Sequence, residues 1–184
     1  ALLAQFHPLE EALEAMGVVV WAMVELEADD SPASAAHLAA ADPRVQKVCI
    51  WTPDKDLAQC VSGERVVQIE RRGNRIRDEE AVVAKFGVKP SLIPDYLALV
   101  GDAADGYPGI AGIGAQHVRR ERVDRERALL FRELARLRTD APLFDDVDEL
   151  RWRGPTPAFE QWAERLGDDR LLERARLAAD RLEA

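Results

Sequence analysis

Seven carboxylates in three short groups could together bind metal ions. Two groups directly follow predicted strands and the third opens a glycine-rich segment; they are Glu27, Asp29 and Asp30, then Asp54 and Asp56, then Asp102 and Asp105. In an open α/β sheet, ligands gather beyond the carboxyl ends of the strands, so the first two groups should converge. Carboxylates that converge repel one another unless cations are present.

The chemistry that such a cluster supports is metal-dependent phosphoryl transfer. Hard oxygen ligands suit Mg²⁺ or Mn²⁺, and two such ions can activate a water and stabilise the leaving oxygen of a phosphodiester. Lys55 lies between two candidate ligands and could neutralise a phosphate. Each feature also has a simpler interpretation. ADD is typical of a helix N-cap, DKD is typical of a turn or a helix start, and GDAAD is typical of a solvated loop. Lys55 could simply be a solvated side chain.

Helices and strands alternate in the first part of the chain. The hairpin ERVVQIERRGNRIRD is predicted to turn at Gly73 and Asn74. Alternation of this kind predicts an α/β fold with a partial parallel sheet and flanking helices. The preceding elements are, in order, FHPLEEALEAM (helix), VVVWAMVE (buried strand), DDSPASAAHLAAAD (helix), KVCIWT (buried strand) and PDKDLAQCV (short helix).

After Asp78 the pattern changes to helices. We therefore expect an α/β metal-binding core over residues 1–77 and a helical region over residues 78–184. The predicted helices are DEEAVVAKFG, KPSLIPDYLALVG, VRRERVDRERALLFRELARLRTD and one or two within AFEQWAERLGDDRLLERARLAADRLEA.

The segment GIAGIG predicts a tight hairpin between two helices. Its glycines Gly109, Gly112 and Gly114 follow a helix rather than a strand, so a dinucleotide-binding GxGxxG loop is a poor explanation. Exposed backbone amides in such a hairpin could meet a nucleic-acid phosphate. A plain structural turn explains the glycines equally well.

Composition limits the classes of protein to consider. With 47% hydrophobic and 32% charged residues the chain should fold as a globular protein. We expect no membrane partner, since no apolar run approaches the roughly 18 residues that cross a bilayer. Cys49 and Cys60 form no CxxC pair, which predicts buried thiols and a cytoplasmic location. The net charge of −9 argues against nucleic acid, but the arginines gather in RRGNRIR and RRERVDRER.

Four segments resemble the 5′ nuclease superfamily, in particular the bacterial flap endonucleases and the 5′-exonuclease domain of DNA polymerase I. Three motifs occur in the family's order between about Glu25 and Gly114. The resemblance implies a PIN-like or resolvase-like sheet followed by a helix-three-turn-helix region. The segments are ELEADDSPASAA, WTPDKDLAQCV, KFGVKPSLIPDYLALVGDAADGYPGIAGIG and RTDAPL.

By this resemblance the seven carboxylates match acidic residues that hold two or three divalent metals, Mg²⁺ or Mn²⁺. Four of them are implied to be catalytic: Asp54, Asp56, Asp102 and Asp105. The implied activity is that of a 5′-3′ exonuclease or flap endonuclease, which hydrolyses DNA phosphodiesters near the 5′ end of a flap, nick or gap. The implied partners are DNA and a polymerase or polymerase domain, with the nuclease itself monomeric.

The resemblance also implies contacts with duplex DNA. Lys55 matches the lysine of the DKD motif. A hairpin that grips the duplex backbone, and commonly binds K⁺ through main-chain oxygens, is matched by Gly109, Gly112, Ile113 and Gly114.

Two departures from the family pattern shape the expectations. The family opens with a strand carrying an aspartate in a DG context and with a basic arch, and neither occurs here. We therefore expect the chain to be N-terminally incomplete and inactive by itself. After GIGAQ the pattern also departs, since Gln116 replaces the usual lysine. The alternatives are a non-catalytic duplex-DNA-binding module derived from such a nuclease and, more distantly, a PIN-type ribonuclease, against which the glycine hairpin argues.

Overall fold

The computed structural model describes residues 2–110, 113–114, 117–118 and 125–183. The chain forms two compact units. The first combines Ala1–Val24 with Phe144–Ala184, and the second spans Glu25–Leu143. The boundary expected after residue 77 falls inside the second unit. In the described part of the chain, no helix has the length and apolarity to span a bilayer.

The described residues are mostly helical. Single 3₁₀ turns lie at Leu3–Gln5, Asp56–Cys60, Pro90–Leu92 and Val147–Leu150. The strands are β1 (Val48–Ile50), β2 (Val66–Glu70), β3 (Arg75–Arg77), β4 (Ile113–Gly114) and β5 (His117–Val118). The helices are α1 (Phe6–Ala15), α2 (Asp30–Ala41), α3 (Glu79–Phe86), α4 (Ile93–Val100), α5 (Arg125–Leu134), α6 (Phe159–Leu166) and α7 (Asp169–Glu183).

The main sheet of the second unit has three strands in the order β1-β2-β3. β1 pairs parallel with β2, with Val48 opposite Val66, and β2 pairs antiparallel with β3, with Gln68 opposite Arg77. The hairpin predicted between β2 and β3 is confirmed, and its residue Asn74 has a positive φ of 47°. This three-stranded sheet is therefore mixed, with one parallel and one antiparallel pair of strands.

The strand predicted from VVVWAMVE is wrong. Residues 18–25 contain no strand, and Val24 is 92% exposed. A β-branched run becomes a strand only where a neighbouring strand and a packed face receive it, because strand propensity depends on context. The first acidic group consequently lies in the turn before α2 and at the first residue of that helix, rather than at the end of a strand.

Two apolar clusters pack the second unit; one joins α2 to the sheet, and the other joins α3 and α4 to the 3₁₀ turn Asp56–Cys60. Leu57 and Ala58 are neighbours in the 3₁₀ turn Asp56–Cys60, yet they belong to different clusters and are 2% and 0% exposed. The turn is thus fixed from both sides. One cluster contains Ala33, Ala36, Ile50, Leu57, Val66 and Leu137, and the other contains Ala58, Val61, Val82, Phe86, Ile93, Leu97 and Ala135.

The segment after α5 is bound to α2 and to the 3₁₀ turn by two polar side chains, the half-buried Gln59 and the buried Ser34. Gln59 donates from Nε2 to the carbonyl oxygen of Ala135 at 3.0 Å and accepts at Oε1 from the backbone N–H of Leu137 at 3.1 Å. Ser34 donates from Oγ to the carbonyl oxygen of Arg138 at 3.2 Å. These bonds join elements that are far apart in sequence and make one framework of them.

Both cysteines are free thiols, but only one is partly buried. Cys49 is exposed, against expectation, because side chains alternate along β1 and its neighbour Ile50 takes the buried side. Cys60 is half-buried, and burial raises the pKa of its thiol to about 12.

The first unit is built around α1, α6 and α7. Its buried residues Ala15, Phe159 and Ala175 pack together. Just after α1, Gly17 has a φ of +83°, and a Cβ placed on it would stand 2.2 Å from the carbonyl oxygen of Gly154. The chain can approach itself this closely only because position 17 has no side chain.

We expect Gly17→Ala to lower the free energy of unfolding by at least about 2 kcal/mol, through backbone strain together with the clash against Gly154. Gly167→Ala is the matched control, because Gly167 also has a positive φ of +67° but has no atom within 4 Å of an added Cβ. The control should lose about 1 kcal/mol from strain alone. Urea titrations of both variants measure the difference, and equal losses would contradict the close approach.

Candidate metal centre

Three of the seven carboxylates meet in the second unit. One oxygen atom from each of Asp54, Asp56 and Asp105 lies within 4.8 Å of the others. Asp54 and Asp56 follow β1, whereas Asp105 lies in the loop after α4. Two loops distant in sequence therefore bring acidic residues of the second and third groups to one place.

Local hydrogen bonds shape the loop after β1. The backbone N–H of Asp54 donates to Thr52 Oγ1 at 3.2 Å, and the backbone N–H of Asp56 donates to Asp54 Oδ1 at 3.3 Å. Bonds of this kind let an aspartate stabilise a turn in its own backbone. The next residues, Leu57 and Ala58, anchor the turn in the two apolar clusters. The position of the Asp56 carboxylate is thus set by the core.

Asp56 is the most strongly perturbed of these acids. It is 6% exposed, and its Oδ1 is buried without a hydrogen-bond partner among the described residues. Burial, and next the charges of Asp105 and Asp54, raise the pKa of Asp56 to about 7. An unpaired buried carboxylate oxygen is costly, and a divalent cation between the three carboxylates would remove that cost. The residues present therefore fit a divalent metal ion.

The pKa values of Asp105 and Asp29 are raised as well. Burial is the largest cause for both residues. The charge of Asp102 comes next for Asp105, and the charges of Asp54 and Asp105 come next for Asp29. Asp29 therefore lies within electrostatic range of the cluster, although its oxygens are not among the three that meet within 4.8 Å.

Asp102 organises the loop that carries Asp105. The backbone N–H groups of Asp102 and Tyr107 each donate to the other's carbonyl oxygen, at 2.9 and 2.7 Å. Asp102 also accepts from the backbone N–H of Ala104 at Oδ1, 3.0 Å away, and from Lys55 Nζ at Oδ2, 2.7 Å away. Burial raises the pKa of Asp102, but the bonds from Lys55 and Ala104 outweigh it and leave the pKa lowered. The same bond to Asp102 is the main cause of a raised pKa at Lys55.

The predicted DNA-contacting glycines have different places in the structure. Gly109 is buried at the base of the acidic loop, where a Cβ would stand 2.6 Å from the carbonyl oxygen of Val100. Gly112 lies outside the described residues. Ile113 and Gly114 form β4, which pairs antiparallel with β5. The predicted helix-three-turn-helix region thus falls partly on residues that the structure does not describe.

The first acidic group divides between two roles. Asp30 is 6% exposed and accepts two main-chain hydrogen bonds, from Arg138 N–H at 2.8 Å and from Glu27 N–H at 3.1 Å. Its carboxylate therefore joins the turn before α2 to the segment after α5. Glu27 is exposed, and its charge contributes to the raised pKa of Asp29. Neither Asp30 nor Glu27 belongs to the group of three carboxylates.

Two residues near the cluster were missed from the sequence. Burial, then the charges of Asp56 and Glu27, raise the pKa of Tyr107 to about 12, so its phenol stays protonated beside the acids. Gln68 donates from Nε2 to the main-chain carbonyl oxygen of Asp54. A signal for Gln68 was available, since it is the one polar residue within the apolar run VVQI of β2.

The sequence of the chain is similar to those of bacterial 5′-3′ exonucleases and DNA polymerases I. Residues 1–87 match the model of the 5′-3′ exonuclease N-terminal resolvase-like domain. A 5′-3′ exonuclease of Aquifex aeolicus is 42% identical over 113 residues, which are 61% of this chain and 38% of that protein. DNA polymerase I of Pseudomonas aeruginosa is 41% identical over 113 residues, which are 61% of this chain and 12% of the polymerase.

A longer match and a solved structure complete the comparison. DNA polymerase I of Bacillus caldotenax is 30% identical over 181 residues, covering 82% of this chain and 20% of the polymerase. A structure of T5 5′-exonuclease with bound divalent metal ions (zinc) superposes with a TM-score of 0.44 at 19% identity, over 63% of this chain and 39% of that chain. The chain thus spans well under half the length of each of these relatives.

The raised pKa of Asp56 predicts how stability depends on pH. The folded chain retains the Asp56 proton up to about pH 7, whereas the unfolded chain loses it near 3.8. Between these values the folded state binds more protons, so the free energy of unfolding should fall as pH rises, when divalent cations are removed with EDTA. Asp56→Asn should flatten this dependence and should exceed the wild type in stability at pH 8 by on the order of a few kcal/mol.

Urea titrations at pH 5 and pH 8 in EDTA measure the dependence. The exposed substitution Glu64→Gln is the control and should leave the difference between the two pH values unchanged. A wild type that gains stability from pH 5 to pH 8 would contradict the cost assigned to the Asp56 carboxylate. A weaker slope should remain in Asp56→Asn, because the pKa values of Asp29 and Asp105 are raised too.

Proposed function

We propose that the chain acts in metal-dependent hydrolysis of DNA phosphodiesters near 5′ ends, as a relative of the 5′ nucleases. Its residues 1–87 match the N-terminal resolvase-like domain of the 5′-3′ exonucleases. The observation that carries the proposal is the buried Oδ1 of Asp56, which lacks a hydrogen-bond partner among the described residues. It belongs to a carboxylate that faces two others within 4.8 Å. An arrangement so costly without a cation is typical of a metal site.

Asp54, Asp56 and Asp105 would hold a divalent ion, Mg²⁺ or Mn²⁺. Asp29 would extend the site toward a second ion, since the charges of Asp54 and Asp105 contribute, after burial, to the raised pKa of its carboxyl. Such ions, when bound, activate a water and stabilise the leaving oxygen of a phosphodiester. Asp102 supports the site indirectly. One of its carboxylate oxygens accepts from Lys55 Nζ and the other accepts from the backbone N–H of Ala104, and these bonds shape the loop of Asp105.

Lys55 would bring a phosphate to this site. Its Nζ is 2.7 Å from Asp102 Oδ2, and its side chain is still 45% exposed, so it can also reach a ligand from solvent. The bond to Asp102 raises the pKa of Lys55, which keeps the ammonium charged at neutral pH. A fixed cation beside several carboxylates attracts a phosphodiester that the carboxylates alone would repel.

The substrate we propose is DNA with a 5′ flap, nick or gap. In this proposal residues 1–77 supply the metal-binding core, and residues 78–184 supply the DNA contacts together with Asp102 and Asp105. The hairpin around Gly109 and Gly114 would contact the duplex backbone and bind K⁺. A DNA polymerase, linked or separate, would act on the same DNA, and the nuclease would work as a cytoplasmic monomer.

We expect Asp105→Asn to reduce cleavage of a 5′-labelled flap by about 10³-fold or more in the gene product that contains this chain, while duplex binding changes little. Several kcal/mol of transition-state stabilisation depend on bound metal, and each 1.36 kcal/mol is tenfold in rate. Asp95→Asn is the matched control, since Asp95 is an aspartate of α4 whose side chain is 46% exposed and which lies outside the group of three carboxylates. It should retain wild-type cleavage.

The same assay separates the proposal from a non-catalytic DNA-binding module. Cleavage that depends on Mg²⁺ or Mn²⁺ and fails in Asp105→Asn supports the nuclease. Salt-dependent duplex binding with no cleavage by the gene product, at any concentration of either metal, would instead support the binding module. Full cleavage by Asp105→Asn would remove the three-carboxylate group from the mechanism.

A further inference from the structure

Gln68 is a fully buried polar side chain in an otherwise apolar strand. It is 0% exposed, and its neighbours Val66, Val67 and Ile69 are also buried. A buried amide is costly unless both its donor and its acceptor are satisfied. Both are satisfied here, by the main-chain carbonyl oxygen of Asp54 and by the side chain of Arg77.

The chemistry of the two partners fixes which way the amide faces. The carbonyl oxygen of Asp54 can only accept, so it requires the NH₂ group of Gln68. The guanidinium of Arg77 can only donate, so it requires Oε1 of Gln68. Reversing the amide would break both bonds at once. Gln68 therefore has one stable orientation between a fixed donor and the loop that carries Asp54.

Arg77 is itself held in place. It lies on β3 directly opposite Gln68 in the sheet register, and it is 9% exposed. Its Nη2 is 3.5 Å from Glu70 Oε2 on β2, while its Nη1 donates to Gln68 Oε1. The hairpin of β2 and β3 thus supplies a buried cation whose position is set by strand pairing.

We propose that Gln68, oriented by Arg77, is a positioning residue that sets the place of the Asp54 carboxylate in the metal site. The inference rests on the proposed function, because it concerns the affinity of that site for metal. The main chain of Asp54 is then held on both sides, through its N–H by Thr52 and through its carbonyl oxygen by Gln68. Its carboxylate accepts from the N–H of Asp56, so a shift of Asp54 would also disturb the turn that aims Asp56.

The charge-changing substitution Gln68→Glu tests the proposal. A carboxylate keeps an acceptor for Arg77 but has no hydrogen to donate to the carbonyl oxygen of Asp54. We expect a fall in Mn²⁺ affinity of about 10- to 100-fold, measured by calorimetric titration of the 184-residue chain, as for other residues that orient metal ligands. The added negative charge alone would raise affinity for a cation, so the two explanations predict opposite signs.

Matched variants complete the experiment. Gln46→Glu makes the same change at an exposed glutamine and should leave the Mn²⁺ affinity unchanged. Arg77→Met leaves Gln68 in place but removes the donor that orients it, so affinity should fall in the same direction. Arg77→Lys keeps a cation at this position and should therefore retain most of the wild-type Mn²⁺ affinity. These Arg77 variants also decide the matter if Gln68→Glu does not fold, which circular dichroism reports.

The outcomes separate this inference from the proposed function. Wild-type affinity in folded Gln68→Glu, or in both Arg77 variants, would overturn the positioning role while the metal site itself stands. Equal losses in Arg77→Met and Arg77→Lys would overturn the orienting role of Arg77. A wild-type chain that binds no Mn²⁺ would overturn the proposed metal site, and the inference with it.

Discussion

The rest of the second unit depends on one constraint, the burial of the Asp56 carboxylate beside two other carboxylates. Burial of Asp56, and next the charges of Asp105 and Asp54, raise the cost of ionising its carboxyl until its pKa reaches about 7. The apolar neighbours Leu57 and Ala58 prevent Asp56 from escaping to solvent, because moving them would open two apolar clusters at once. Core packing therefore holds a charged group where it is unstable without a cation. A preorganised metal site requires its ligands to be held close together in this way before the ion binds.

Several polar contacts hold the Asp56 carboxylate and its two carboxylate neighbours in place. Gln59 joins the 3₁₀ turn to the segment after α5, and Gln68 joins the preceding loop to the sheet. The loop of Asp105 is closed by paired backbone bonds between Asp102 and Tyr107. The two loops that carry these acids, one after β1 and one after α4, could each relieve the repulsion by moving outward. Each is prevented from doing so by bonds to a different part of the framework.

The sequence predicted the parts of this design that have local signals. The hairpin at Asn74 could be predicted, and the acidic groups could be recognised, from short-range patterns, because turn chemistry and carboxylate spacing are local properties. The strand expected in VVVWAMVE could not be excluded, since strand formation depends on a pairing partner that no local pattern reveals. The use of Asp30 as a main-chain tether also depends on Arg138, which is distant in sequence. Gln68 could be noticed as a polar residue in an apolar strand, but no local pattern indicates that it bonds to the main chain of Asp54.

The division of labour among the acids explains how so many of them share one region. Asp30 and Asp102 look like ligands by position, yet each has both oxygens engaged by hydrogen-bond donors of the chain itself. Donors to the ionised form lower the cost of that charge, and at Asp102 the pKa is lowered accordingly. Asp54, Asp56 and Asp105 are left facing each other. The first set of acids is satisfied by the protein and builds the framework, so the unsatisfied charge is concentrated where a cation would bind.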